Sequence, residues 1–207
     1  MASIYSHRSS LVLGFHGCDA SFAEKVVLGK EMLKKSDHDY DWLGHGIYFW
    51  ENNVVRARQW AEENSKRANS TISNPGVLAA YLDLGFCLDL TDSESLHKLK
   101  ISYETLVKAS EMLGLPIPVN KDPVSVIPKD RILRKLDCAV IETLHVLNKM
   151  AGLPPYDSVR GVFWEGNELY PSAGFQEKNH IQIAIINPNC IKGFFLPRSL
   201  DSRYPNP

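Results

Sequence analysis

The feature that most constrains the fold is the placement of apolar, strand-like runs at both ends of the chain, with helical periodicity between them. "SLVLGFHG" (10–17) and "HIQIAII" (180–186) both read as buried strands. The first is apolar until glycine stops it, and the second sets Ile181, Ile183 and Ile185 on alternate positions, one face of a strand. Four more runs share that character: "GIYFW" (46–50), "VLAAYLDLGFCLDL" (77–90), "SVRGVFWEG" (158–166) and "IKGFFLP" (191–197). Gly85 marks where the longest of them bends. Helical spacing marks 22–33, 54–68, 102–114 and 131–150. Val54, Ala57, Trp60, Ala61 and Ala68 fall mostly three or four apart. Ile132, Leu136, Ala139, Val140, Thr143, Leu144 and Leu147 form one stripe. Gly114 and then Pro116 end the third helix. The stretches 34–42 and 119–131 read as polar or proline-bearing loops. Strands at both ends without a regular strand–helix repeat predict an α+β fold with a mixed or antiparallel core, not a βαβ series.

No repeat, linker or low-complexity segment divides the 207 residues. One domain over 1–207 is expected, long enough to bury a sizeable core, with the proline-bearing tail 198–207 frayed. A hydrophobic content of 44% and a charged content of 23% suit a globular protein. A net charge of -1 argues against a broad nucleic-acid or anionic-membrane footprint, although a local basic groove survives inside a neutral total. Cys18, Cys87, Cys138 and Cys190 lie far apart and form no metal-ligand spacing, so free buried thiols in a reducing compartment are expected, and no metal. No apolar run approaches the ~18 residues of a spanning helix. The expectation is a soluble, cytoplasmic protein with no membrane partner.

The chemistry concentrates in two places. His16-Gly17 ends a strand, where side chains and bare backbone reach a cleft. Gly44-His45-Gly46 forms a turn that lets backbone approach a ligand, directly before Tyr48. Glycine offers an amide N–H and C=O with no side chain in the way, which suits a planar carboxamide. Each signal also has an ordinary explanation: a satisfied turn for His16-Gly17, and a packed core for "IYFW".

Taken in order, "GFHGCD", "GHGIYFWEN", "RARQWA" and "HIQIAIINPNCI" resemble the ADP-ribosyltransferase family of the His-Tyr-Glu type, which includes diphtheria toxin and the poly(ADP-ribose) polymerases. The resemblance runs from Gly14 to about Phe195, and residues 90 to 150 match only as generic structure. It implies a split, mostly antiparallel β core flanked by helices. It also implies NAD as co-substrate and transfer of ADP-ribose, with release of nicotinamide, to a protein, RNA or DNA acceptor. Carried over, His16 would hold the ribose of the adenosine half and the Gly17 backbone would grip the nicotinamide carboxamide. Gly46 would let the chain approach the ligand and Tyr48 would stack on the nicotinamide ring. Trp60 would close the ring's other side, with Gln59 the alternative neighbour and core packing the alternative role.

The third family position departs from the pattern. Counting back from Asn187-Pro188 lands on Gln182, where the family carries a Glu that stabilises an oxocarbenium-like transition state. A glutamine can accept a hydrogen bond from the ribose 2′-hydroxyl but brings no charge. Gln182 works as it stands, or Glu165, Glu168 or Glu177 supplies the acid, or the protein binds NAD without turning it over. His180 occupies the position that helps activate the acceptor in toxin relatives. With a pKa near ~6.5 it could act as a general base, or it is a surface residue at a strand start. Arg56 and Arg160 could meet a pyrophosphate or make structural salt bridges. Asp41 and Trp42 are expected in a lid over the adenosine half. A bare domain of this size resembles bacterial or phage toxin and defence components, which implies a neutralising antitoxin as partner. The alternatives are an NAD glycohydrolase, a degenerate module that binds NAD or ADP-ribose, and an unrelated α+β binding domain.

Overall fold

The structure, a computed structural model, describes residues 7–122 and 132–205. Its main sheet is built from β1 (His7–Asp19), β2 (Ile47–Glu51), β3 (Pro75–Asp89), β6 (Ser158–Phe163), β7 (His180–Ile185) and β8 (Ile191–Phe195). A separate short ribbon joins β4 (Asn120–Lys121) to β5 (Leu133–Arg134). Four helices flank the strands: α1 (Ala20–Val27), α2 (Val54–Ser65), α3 (Ser93–Leu113) and α4 (Lys135–Met150). The main sheet runs β1-β2-β7-β6-β3-β8, and β1 pairs with β3 as well, so five strands close a ring with β8 outside it. Every pairing is antiparallel except that of β3 with β6. The class is α+β with a mostly antiparallel sheet, as the terminal strands imply.

The ring is uneven. β1 and β3 pair from His7↔Phe86 to Asp19↔Pro75, whereas β1 and β2 meet only at Gly14↔Glu51 and Phe15↔Trp50. β3 serves two halves of the ring. Its earlier residues pair with β1 and β8, and Cys87–Asp89 pair with β6. Gly85, at φ +56, makes the bend between the two partners, a common way for a strand to turn from one sheet into another.

Local chemistry sets the ends of the helices. Asp19, Asn53 and Asp92 each cap a helix by accepting from the backbone N–H of Ser21, Arg56 and Ser95. Gly114 closes α3 in the left-handed conformation, φ 64. Three boundaries differ from expectation. β1 continues past Gly17 to Asp19, because β3 pairs with it throughout. α1 stops at Val27, with Gly29 at φ +69 just beyond. α3 starts at Ser93, well before residue 102. Its fully buried residues are Ser95, Ser102 and Ser110, and of the leucines in its opening turns Leu99 packs on the α4 layer while Leu96 is exposed. Residues 123–131 of the expected loop, including the first residue of the expected last helix, lie outside the described residues, as do 206 and 207.

The interior divides into layers. Phe49, Leu82, Leu84, Ile183 and Ile185 fill the space enclosed by the strands. α4 lays Ile141 and Leu144 on Leu88, Val159 and Ala184. α2 places Ala57 on Phe15, Trp50, Val77 and Ala79, and α1 places Ala23 and Val26 on Cys18 and Leu78. All four cysteines are buried, and none forms a disulfide among the described residues.

Gly85→Ala tests the bend. A Cβ there would collide with the Asp157 carboxylate, and the left-handed backbone alone costs an ordinary residue roughly 1–2 kcal/mol. A fall in unfolding free energy of at least about 1–2 kcal/mol is expected from denaturant titration. An unchanged midpoint would show that β3 does not need the bend.

Candidate functional site

The site starts where β1 runs out into α1. A cavity of about 470 Å³ opens there, with His16, Gly17, Asp19, Trp60, Asn64 and Ser73 among its walls. That volume falls within the range of small-molecule pockets. His16 is held by its own ring. Nδ1 lies 2.8 Å from the Tyr48 carbonyl, and a carbonyl only accepts, so Nδ1 carries the proton and donates it. Burial holds the imidazole below its ordinary pKa, partly offset by that hydrogen bond. The neutral ring therefore keeps the Nε2 lone pair as an acceptor. Gly17 is glycine for a packing reason, since a Cβ there would collide with the Ala57 carbonyl and press on the Trp60 ring. Asp19 shapes the rim. Its carboxylate accepts from Ser21, from Ser73 and from the Asn74 N–H, and these bonds hold its pKa well below the usual carboxylate range.

Tyr48 does not form an aromatic wall opposite Trp60. Its ring packs against the layer that holds Leu43, Ile141 and Ala184. Its hydroxyl accepts from the Leu43 N–H (2.9 Å) and donates to the Gly44 carbonyl (2.8 Å), and burial pushes its pKa well up. The residue that meets Trp60 is Trp50, with ring centroids 5.7 Å apart. Tyr48 thus anchors the Gly-His-Gly turn, and its own carbonyl positions His16. Glu142 of α4 staples the other side of the turn by accepting from the His45 N–H (2.8 Å). Gly46 exchanges both of its backbone hydrogen bonds with Ser36, so its amide is not free to grip a ligand.

Residues paired across a sheet share a face. Tyr48↔Ala184 and Trp50↔Gln182 place those four on one face of β2 and β7. Phe15 shares that face through its pairing with Trp50, so its neighbour His16 turns to the opposite side, where it meets Phe49 edge-on at 5.9 Å. His16, Tyr48 and Gln182 therefore stand on three consecutive strands. Of the three, only His16 lines the cavity.

Gln182 is fixed by a residue that sequence reasoning had assigned elsewhere. The Trp42 indole N–H donates to Gln182 Oε1 at 2.6 Å. The Trp42 ring lies over Gly161, where a Cβ would press on it, and stands edge-on to Phe163 at 4.9 Å. Trp42 is thus bound to the third family position and does not line the cavity; only a register known in advance would have shown this. His180 is not a surface residue. Its side chain is 1% exposed, its ring stacks on Phe163 at 5.4 Å, and Nδ1 donates to the Lys178 carbonyl at 2.6 Å. Burial lowers its pKa. Its Nε2 is buried without a partner, which removes it from direct contact with an acceptor arriving from solvent.

Each candidate acid and arginine has a partner, but only Glu165 and Arg56 are paired with each other. Arg56 Nη2 donates to both oxygens of Glu165 (2.6 and 2.8 Å), with side chains 5% and 15% exposed. Glu168 accepts from the Ser172 N–H, and Glu177 from the Asn167 backbone and side chain. Arg160 forks onto Glu51 (2.5 and 2.9 Å) and reaches Asp89 at 3.2 Å, which pins β6 to β2 and β3. For Arg56 and Arg160 the structural salt bridge is the observed role. Among the described residues, no group of three or more His, Cys, Asp or Glu side chains could hold a metal ion, and no helix is long and apolar enough to cross a membrane.

No protein-family model matches the chain, and no solved structure matches it significantly. Over 87 residues the chain is 37% identical to the uncharacterized protein MJ0359 of Methanocaldococcus jannaschii. The match takes in 41% of this chain and 39% of that protein, so the chain spans about two fifths of that relative's length.

Two outcomes follow from these contacts. Glu165→Ala leaves the buried Arg56 with only the half-exposed Glu63 at 3.9 Å and is expected to cost about 3 kcal/mol in denaturant unfolding. A loss within experimental error would mean that the pair is dispensable. His16, His145 and His180 all have pKa values lowered by burial. Each unfolds into a form that binds a proton more readily, so stability is full above about pH 6.5 and falls as the pH drops below it. Melting at pH 7 and pH 5 should show that fall. His180→Gln, which keeps a donor for the Lys178 carbonyl, should reduce it.

Proposed function

We propose that the chain is an NAD-dependent ADP-ribosyltransferase domain, transferring ADP-ribose to a macromolecular acceptor and releasing nicotinamide. The observation that carries this reading is the His16 ring, hydrogen-bonded to the Tyr48 carbonyl of the adjoining strand and lining a ligand-sized cavity together with Gly17 and Trp60. The neutral His16 Nε2 suits a ribose hydroxyl, which can donate to it. Trp60 offers an aromatic face within the same cavity, and such a face suits a flat ring. Tyr48 supports the site from beneath, through the Gly-His-Gly turn and its carbonyl. No metal is required, because the cationic nicotinamide leaving group already polarises the glycosidic bond. The acceptor is a protein, RNA or DNA. The activity would suit a toxin or defence effector in the cytoplasm, held in check by an antitoxin.

A second reading has its own support. Gln182 offers a neutral amide where a carboxylate would stabilise developing positive charge, and its oxygen is engaged by Trp42. A module that binds NAD or ADP-ribose without turnover fits that amide.

Incubating the protein with labelled NAD and a cell lysate separates these readings. Label on macromolecules is expected. Free ADP-ribose alone would indicate an NAD glycohydrolase, and binding without consumption would indicate the module. Absence of NAD binding would remove all three. If transfer occurs, Gln182→Ala should lower turnover by about 10²-fold, or ~2.7 kcal/mol, with a smaller effect on NAD affinity. Gln182→Glu should keep or raise it.

A further inference from the structure

We propose that Trp42 is a positioning residue that fixes the polarity of Gln182, so that the site presents the amide NH₂ as a donor and keeps the amide oxygen turned away from the ligand. An indole N–H can only donate, so the group 2.6 Å from Trp42 Nε1 must be the amide oxygen of Gln182. The two ends of an amide are otherwise easily interchanged, and here the chemistry of the partner decides between them. Trp42 is itself held from three sides. Its ring lies over Gly161, stands against Phe163 and carries the Arg134 guanidinium at 5.4 Å. Gly161 is the cross-strand partner of Gln182, so the absence of a side chain there is what lets the indole reach the amide. At the other end, Gln182 Nε2 has no hydrogen-bond partner among the described residues and is not among the buried orphan atoms. It is partly accessible and free to donate.

The consequence is a stated ligand chemistry. The atom placed against the Gln182 NH₂ must be a hydrogen-bond acceptor, such as a sugar, carbonyl or phosphoryl oxygen. The expectation that Gln182 accepts from a ribose 2′-hydroxyl is reversed: Gln182 donates to the sugar oxygen. A carboxylate at this position would keep the bond from Trp42, because it accepts at both oxygens, and would present its second oxygen as an acceptor. The inference rests on the proposed NAD reading for the identity of the ligand, but not for the orientation of the amide, and Gln182 itself lies outside the cavity that His16 lines.

Indole ¹H–¹⁵N resonances, assigned by single Trp→Phe replacements, read that orientation directly. The Trp42 N–H signal is expected far downfield and slow to exchange. It should remain so in Gln182→Glu and move upfield with fast exchange in Gln182→Leu. A Trp42 signal indifferent to Gln182→Leu overturns the proposal, whatever NAD does. Binding of NAD to the wild-type protein separately tests the preceding reading. Given binding, Trp42→Phe keeps an aromatic ring and removes the N–H together with the five-membered ring that carries it. It is expected to weaken NAD binding or turnover roughly tenfold, the order of one hydrogen bond. That effect should vanish in a Gln182→Ala background, because Trp42 acts only through Gln182. Full additivity of the two changes would show a merely structural Trp42 and overturn the proposal. If Trp42→Phe fails to fold, the Gln182→Glu and Gln182→Leu spectra still decide it.

Discussion

β3 has to leave one half of the ring and enter the other, and one side chain holds the place where it does so. Asp157 accepts from the Phe86 N–H at 2.8 Å and from the Asn187 side chain at 2.7 Å. Its own N–H donates to the Phe86 carbonyl, and its carbonyl accepts from the N–H groups of Ile186 and Asn187. Buried backbone groups must find partners, and a bend in mid-strand leaves several without a ladder. Asp157 supplies them and in doing so ties together the bend of β3, the start of β6 and the end of β7. The register of β7 against β2, and therefore the position of Gln182 beside Trp50, depends on that joint.

Much of the fold was legible because each element carries its own period. The alternating isoleucines of β7, the stripe of α4 and the bend at Gly85 need no knowledge of partners. The strand order was less accessible. β1 pairs with β3 along nearly its whole length, from Asp19↔Pro75 to His7↔Phe86, and nothing local announces which strand will be the neighbour. The opening of α3 was harder to see because it alternates a buried serine, Ser95, with an exposed leucine, Leu96, and only Leu99 packs inward.

The site was legible in position and misleading in detail. His16 and Gly17 do line a cavity, but Tyr48 spends its ring on the core and its hydroxyl on the turn. An aromatic cluster such as "IYFW" reveals neither face nor partner until the register is known, and the register places Trp50, not Tyr48, against Trp60. The same limit hid Trp42, whose bond to Gln182 spans 140 positions. The acids Glu165, Glu168 and Glu177 looked available in the sequence and are engaged in the fold. Among the described residues, the side-chain polar atoms buried without partners lie in His145 and, around the ends of β2 and β7, in Trp50, Arg56, Gln176, Asn179 and His180. Unsatisfied polar atoms are costly, and here most of them gather beside Gln182 instead of scattering through the core.

The uneven closure of the ring has a mechanical side. A closed set of strands parts first at the seam with the fewest rungs, and β1 and β2 share only the pairings at Gly14 and Phe15. Next to that seam the His16 ring reaches across to the Tyr48 carbonyl, so a side chain does the work of a further rung. Local opening draws on the least protected contacts of a fold. The cavity wall is therefore also the fastener of the barrel, and a ligand that engages His16 acts on how firmly the strands are laced together.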